Sequence, residues 1–87
     1  MDQIKIGKFI AEMRKEQNMT QRQLAEHLNI SDKTVSKWEC GKGMPDNSIL
    51  LELCDVLQIN VNELLSGEKS ILRQLSQKGG RKYVTVN

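Results

Sequence analysis

The stretch Thr20–Trp38, "TQRQLAEHLNISDKTVSKW", carries two short helical patterns that meet at a corner around Asn29. Thr20 followed three residues later by Gln23 forms a capping box, which satisfies two backbone donors that a helix start would otherwise leave orphaned. Leu24, Ala25 and Leu28 then share one face. Asn29 tolerates the left-handed backbone that closes a helix, and Ser31 is the N-cap of a second helix in which Val35 and Trp38 lie three apart on one side. Two helices crossing steeply need a small residue where the backbones touch, a residue tolerant of positive φ at the corner, and apolar residues that lock the pair. Ala25 is the small contact, Asn29 the corner, and Leu24, Leu28, Ile30, Val35 and Trp38 the lock.

Outward from this pair the chain continues to read as helix. Upstream, Ile6, Phe9, Ile10 and Met13 follow the spacing i, i+3, i+4, i+7, and Asn18 is placed to close that helix. Downstream, Gly41 and Gly43 are expected to end the third helix. Pro45 with Asp46 or Asn47 begins a fourth, with the apolar set Ile49, Leu50, Leu53, Cys54 and Leu57. Asn60 and Glu63 form a second capping box for a short fifth helix, with Leu64 and Leu65, that stops at Ser66-Gly67. Beyond it, "SILRQLSQK" at 70–78 is a marginal helix, Gly79-Gly80 breaks it, and "RKYVTVN" at 81–87 alternates like a strand with nothing in the domain to pair with. The fold class is therefore all-α, with five helices and a weakly structured C-terminal tail.

The chain has 87 residues, 38% hydrophobic and 3% aromatic, enough for one small core and too few for two. No apolar run approaches the roughly 18 residues of a membrane span, and "MDQIKIGKF" lacks the apolar centre of a secretion signal. The expected address is cytoplasmic. Cys40 and Cys54 sit in no CxxC pair and beside no histidine, so two reduced thiols are expected, with no metal and no cofactor. Cys54 falls on an apolar face and reads as core filler, whereas Cys40 has no assigned role. His27 stands alone on the outer face of the second helix, and neither "GKGMP" nor "SGEKS" has the spacing of a nucleotide phosphate loop. One histidine, no convergent carboxylate pair and too little chain to enclose a pocket argue against an enzyme.

The formal charge of +2 hides three blocks. Residues 1–43 carry eight basic and six acidic groups, residues 44–68 five acidic and no basic, and residues 69–87 five basic and no acidic. Such blocks suggest faces that meet different partners. Within "SDKTVSKWECGK", Ser31–Lys42, an inward Val35 and Trp38 leave Asp32, Lys33, Ser36 and Lys37 outward, with Thr34 at the margin.

The segment "MTQRQLAEHLNISDKTVSKWECGKGMPD", continued to "INVNELLSG", resembles the phage repressor and Cro type of helix-turn-helix domain, the XRE family of bacterial and phage regulators. The resemblance covers about residues 4–67, with the motif at about 20–39. Asn29 departs from the glycine often found at the corner, without harm to the turn. The resemblance implies a lambda-repressor-like DNA-binding domain that sets the third helix, 31–40, in the major groove, while the second crosses the backbone. By chemistry, Lys33 and Lys37 donate to guanine, and Thr34 and Ser36 serve base or phosphate. Asp32 either accepts from cytosine or favours the positive end of its own helix. Thr20, Gln21 and Arg22 at the start of the second helix are expected at phosphate, as are Lys42 and Gly43 with the amides around them; Arg14 is a weaker candidate.

The implied function is a sequence-specific regulator of transcription, a repressor, bound to a double-stranded operator as a homodimer through helices four and five. The rival reading is an antitoxin or coactivator-like interaction module on the same fold. Against it stands a recognition face of lysines and short polar residues, without the apolar patch that a protein interface core prefers. Residues 68–87 form a basic tail that reads as a linker or dimerisation element rather than a DNA arm, because Ile71, Leu72, Leu75, Tyr83 and Val84 would be wasted on electrostatics alone.

Overall fold

In the computed structural model, which describes residues 2–72, five α-helices follow one another: α1 (Gln3–Glu16), α2 (Gln21–Leu28), α3 (Asp32–Glu39), α4 (Asn47–Leu57) and α5 (Val61–Ser66). Each start is fixed by a local side chain. Asp2 caps α1 by accepting from the amides of Ile4 and Lys5, both at 3.0 Å. Thr20 and Gln23 close the capping box of α2, Ser31 caps α3 through the amide of Thr34, Asp46 caps α4, and Asn60 and Glu63 close a second capping box on α5. The ends are equally local. Asn18, Asn29 and Gln58 take positive φ, as do Gly41 and Gly67. Asn29 at φ 61° is the corner between α2 and α3.

The core is one cluster to which every helix contributes. Ile6, Phe9, Ile10 and Met13 of α1 meet Leu24, Ala25 and Leu28 of α2, Val35 and Trp38 of α3, Leu53, Cys54 and Leu57 of α4, Ile59, and Leu64 of α5. Ile30, Ile49 and Leu50 pack against its edge. Helix α1 is the centre of the arrangement, packing against α3, α4 and α5, while α2 packs against α3 and α4. Among the described residues no helix is long and apolar enough to cross a membrane.

The end of α3 differs in one respect from the sequence expectation. Cys40 is the C-cap and Gly41, at φ +75°, makes the turn, whereas Gly43 is not in the left-handed region. Gly41 is required twice over, since a Cβ there would also lie 2.8 Å from Cγ1 of Ile4. Ile71 and Leu72 begin a further helical turn and are exposed. The remainder of the expected helix at 70–78, the glycine pair and the strand at 81–87 lie outside the described residues.

Gly7 brings α1 against the end of α3. A Cβ at Gly7 would overlap the carbonyl oxygen of Trp38 and stand 3.1 Å from that of Glu39, and both are backbone atoms that cannot swing aside. Alanine at an open helical site gains up to ~1 kcal/mol over glycine. Here Gly7→Ala is expected to cost about 1–3 kcal/mol net, because α1 and α3 must separate. Urea denaturation of the variant checks both the sign and the size.

Candidate nucleic-acid interface

Helix α3 divides along its length as its period requires. Val35 and Trp38 are buried; Asp32, Lys33 and Lys37 are exposed; Thr34 and Ser36 are half-buried. Thr34 spends part of its hydrogen-bonding capacity locally, with its hydroxyl 3.0 Å from that of Ser31. Lys33, Ser36 and Lys37 line one shallow depression together with Cys40 and Lys42. The fold thus joins residues of α3 to the lysine beyond its end, and neither Asp32 nor Gly43 lines that depression. None of the three lysines makes an ion pair among the described residues.

The start of α2 presents a second group. Thr20 and Arg22 are exposed and Gln21 is half-buried. The Thr20 oxygen accepts from the Gln23 amide at 3.0 Å, and the Gln23 side chain accepts from the Thr20 amide at 2.9 Å. Arg22 lies 3.7 Å from Glu26 across one helical turn, an exposed pair that leaves its other donors in solvent.

Two expectations are corrected. Arg14 is buried rather than turned toward a ligand: its Nε and Nη2 donate to the two carboxylate oxygens of Glu39 at 2.7 and 3.0 Å, and its Nη1 donates to the Met19 carbonyl at 2.7 Å. The Glu39 hydrogen bonds, against the opposing effect of burial, hold the guanidinium above its ordinary pKa. The amides around Gly41 are also largely committed, since Gly41 donates to the Trp38 carbonyl at 3.0 Å and Lys42 to the Lys37 carbonyl at 2.9 Å. The Lys42 ammonium remains exposed, but the amide cradle expected around it is mostly spent within the helix end.

Glu39 is the residue that the sequence reading missed. It sits in the last turn of α3 and accepts from Arg14 of α1 and, at 2.9 Å, from Nε2 of Gln21 at the start of α2. The side chains of Arg14 and Glu39 are only 10% and 7% exposed. A signal was present: Arg14 is four residues after Ile10 and Glu39 four after Val35, so both fall on the buried side of their helices. Gln21, expected at phosphate, thus commits its side-chain amide to a protein carboxylate at the end of α3.

Three helices braced in this way, with the polar stripe of the third turned outward, define the helix-turn-helix class. The helix-turn-helix family model matches residues 10–64, and the chain belongs to that family, in its XRE-type branch. It is 42% identical over 62 residues to the HTH-type transcriptional activator BcrR of Enterococcus faecalis, covering 71% of this chain and 30% of that protein. It is 38% identical over 61 residues to the cryptic phage CTXphi transcriptional repressor RstR of Vibrio cholerae, covering 70% of this chain and 54% of that one. The chain therefore spans about half or less of these curated relatives. Among solved structures, the restriction-modification controller protein C.AhdI of Aeromonas hydrophila superposes with a TM-score of 0.66 at 27% identity, over 72% of this chain and 91% of that one.

Removing one partner of the Arg14–Glu39 pair strands a buried charge. Glu39→Ala is expected to cost about 3–5 kcal/mol, whereas the double change Arg14→Met with Glu39→Leu should cost far less than the two single changes together. A double-mutant cycle by chemical denaturation measures the difference. The two thiols should also separate. Burial, and secondarily the charge of Glu63, push the Cys54 thiol above its ordinary pKa, while Cys40 is exposed. A raised native pKa keeps Cys54 neutral at moderate pH, and stability is lost only as pH rises through the range where the buried thiol would have to ionise. With a thiol reagent near pH 8, one cysteine should react rapidly and the second only at the rate of opening.

Proposed function

We propose that the chain is a sequence-specific double-stranded DNA-binding regulator of transcription, placing helix 31–40 in the major groove as a homodimer and acting as a repressor. The observation that carries this reading is the division of α3. Val35 and Trp38 lock it into the core while Asp32, Lys33, Ser36 and Lys37 remain on its outer side, three of the latter continuous with Lys42. A helix held so firmly, with only hydrogen-bonding side chains outward, suits the reading of base edges. Lys33 and Lys37 suit guanine; Thr34 and Ser36 suit base or phosphate. Thr20, Gln21 and Arg22 suit the phosphates on one side of the groove, and Lys42 with Gly43 those on the other.

Residues 4–67 form the DNA-binding unit in this reading, and residues 68–87 a linker or dimerisation element. Pairing through α4 and α5 is supported by Leu51, which is 69% exposed on α4 among otherwise core-directed leucines. A dimer is also what specificity demands, since one short helix touches too few base edges. Repression is the simplest outcome for a compact pair seated across a promoter, because occupancy itself excludes polymerase. The relatives include an activator and a repressor, so the sign is tested directly by transcription from a promoter carrying the selected site.

Selection from a random DNA pool is expected to enrich an inverted repeat whose half-sites lie about 34 Å apart, one helical turn. Lys37→Ala should cost about 1–3 kcal/mol and relax one position. Lys42→Ala should weaken all sequences alike and lower the salt slope by roughly 1. A pool that yields no repeat and no half-site would overturn the regulator reading in favour of a protein-interaction module.

A further inference from the structure

The exposed side of α1 carries charges of two kinds. Lys5 pairs with Glu68 at 2.9 Å, and Glu16 with Lys69 at 2.7 Å, so both are committed to the segment that follows α5. Lys8 and Lys15 make no ion pair among the described residues. They are exposed and two turns apart, about 10 Å along the helix, and with Ala11, Glu12, Gln21, Glu39 and Cys40 they line a shallow depression. Cys40 also lines the depression of Lys33, Lys37 and Lys42, so the two surfaces adjoin at the end of α3.

We infer that the DNA-contacting surface extends beyond the helix-turn-helix onto α1, where Lys8 and Lys15 bind the phosphate backbone of the duplex whose bases α3 reads. The inference rests on the DNA-binding reading above and adds a binding site to it. Continuity through Cys40 and Gln21 places the two ammonium groups beside the proposed interface rather than on a separate face. A rise of about 10 Å between the two positions lets the two flexible side chains reach separate phosphates of one strand. Ala11, a short side chain, lines the depression between them. Glu12 is an exposed carboxylate between the lysines, with no ion-pair partner among the described residues, and it opposes the same phosphates. Its repulsion weakens binding to every sequence alike.

The test is the salt dependence of affinity for the selected site, measured for the full chain. Lys8→Ala with Lys15→Ala should lower the slope of log K against log salt by about 1.8, with the base preference unchanged. Glu12→Gln should tighten binding by about threefold at low salt, an effect that impaired folding cannot imitate. An unchanged slope in the double variant, or no tightening in Glu12→Gln, overturns the α1 contact even when Lys42→Ala behaves as expected. A wild-type chain that enriches no sequence at all overturns the underlying DNA reading instead.

Discussion

The carboxylate of Glu39 holds α3 to the rest of the molecule. It accepts three hydrogen bonds, two from Arg14 and one from Gln21, and the remaining Arg14 nitrogen holds the Met19 carbonyl in the link between α1 and α2. Burying such a pair is costly, and an apolar pair of similar volume could match its stability. Its value is positional. Apolar contacts through Val35 and Trp38 would tolerate some sliding of α3, whereas a two-pronged guanidinium contact fixes both distance and angle. Gly7 acts at the same junction by letting the α1 backbone reach the carbonyls of Trp38 and Glu39. Together they set the end of α3 relative to α1, and with it the point from which Lys37 and Lys42 project.

Much of this was legible in the sequence because the controlling contacts are short-ranged. Thr20 with Gln23, Asn60 with Glu63 and Ser31 with Thr34 each join residues three apart, and the turn at Asn29 closes on Ala25 and Glu26, at most four apart. The apolar periods placed the core for a related reason, since a helix fixes which side chains share a face regardless of what it packs on. The contacts that were missed are long-ranged. Arg14 and Glu39 are 25 residues apart, and the demand for glycine at position 7 comes from the backbone of residues 38 and 39. In the sequence, Arg14 is one cation among several on α1. Only its place four residues after Ile10 separates it from Lys8 and Lys15, and a mere offset on a helix does not reveal a partner.

The charge blocks take on a different meaning once the helices are packed. The acidic run at 44–68 suggests a surface for a partner, yet much of it is used internally. Asp46 caps α4, Glu68 pairs with Lys5, and Glu63 is buried, its Oε1 accepting from the Asn60 amide at 3.0 Å and its Oε2 from the Ser70 amide at 2.8 Å. Exposed Glu52 and Asp55 are what remains of that block on the outer side of α4. A single-sign run in sequence is therefore poor evidence of a single-sign face, because caps and ion pairs withdraw its members one at a time.

Helix α1 follows from these contacts as the member that assigns a direction to everything else. Its apolar face supplies the core, Gly7 and Arg14 meet α3, and Lys5 and Glu16 hold residues 68 and 69. Those last two pairs are partly exposed and individually weak. With the Ser70 amide on Glu63 they nonetheless fix three consecutive residues, and so the path by which the chain departs from α5. That path follows the side of α1 bearing Lys5 and Glu16, which is distinct from the junction of α1 with α3. Residues 68–70 are thereby held on a side of α1 that lies away from the end of α3, so the contacts that fix the exit from α5 and those that fix α3 use separate faces of one helix.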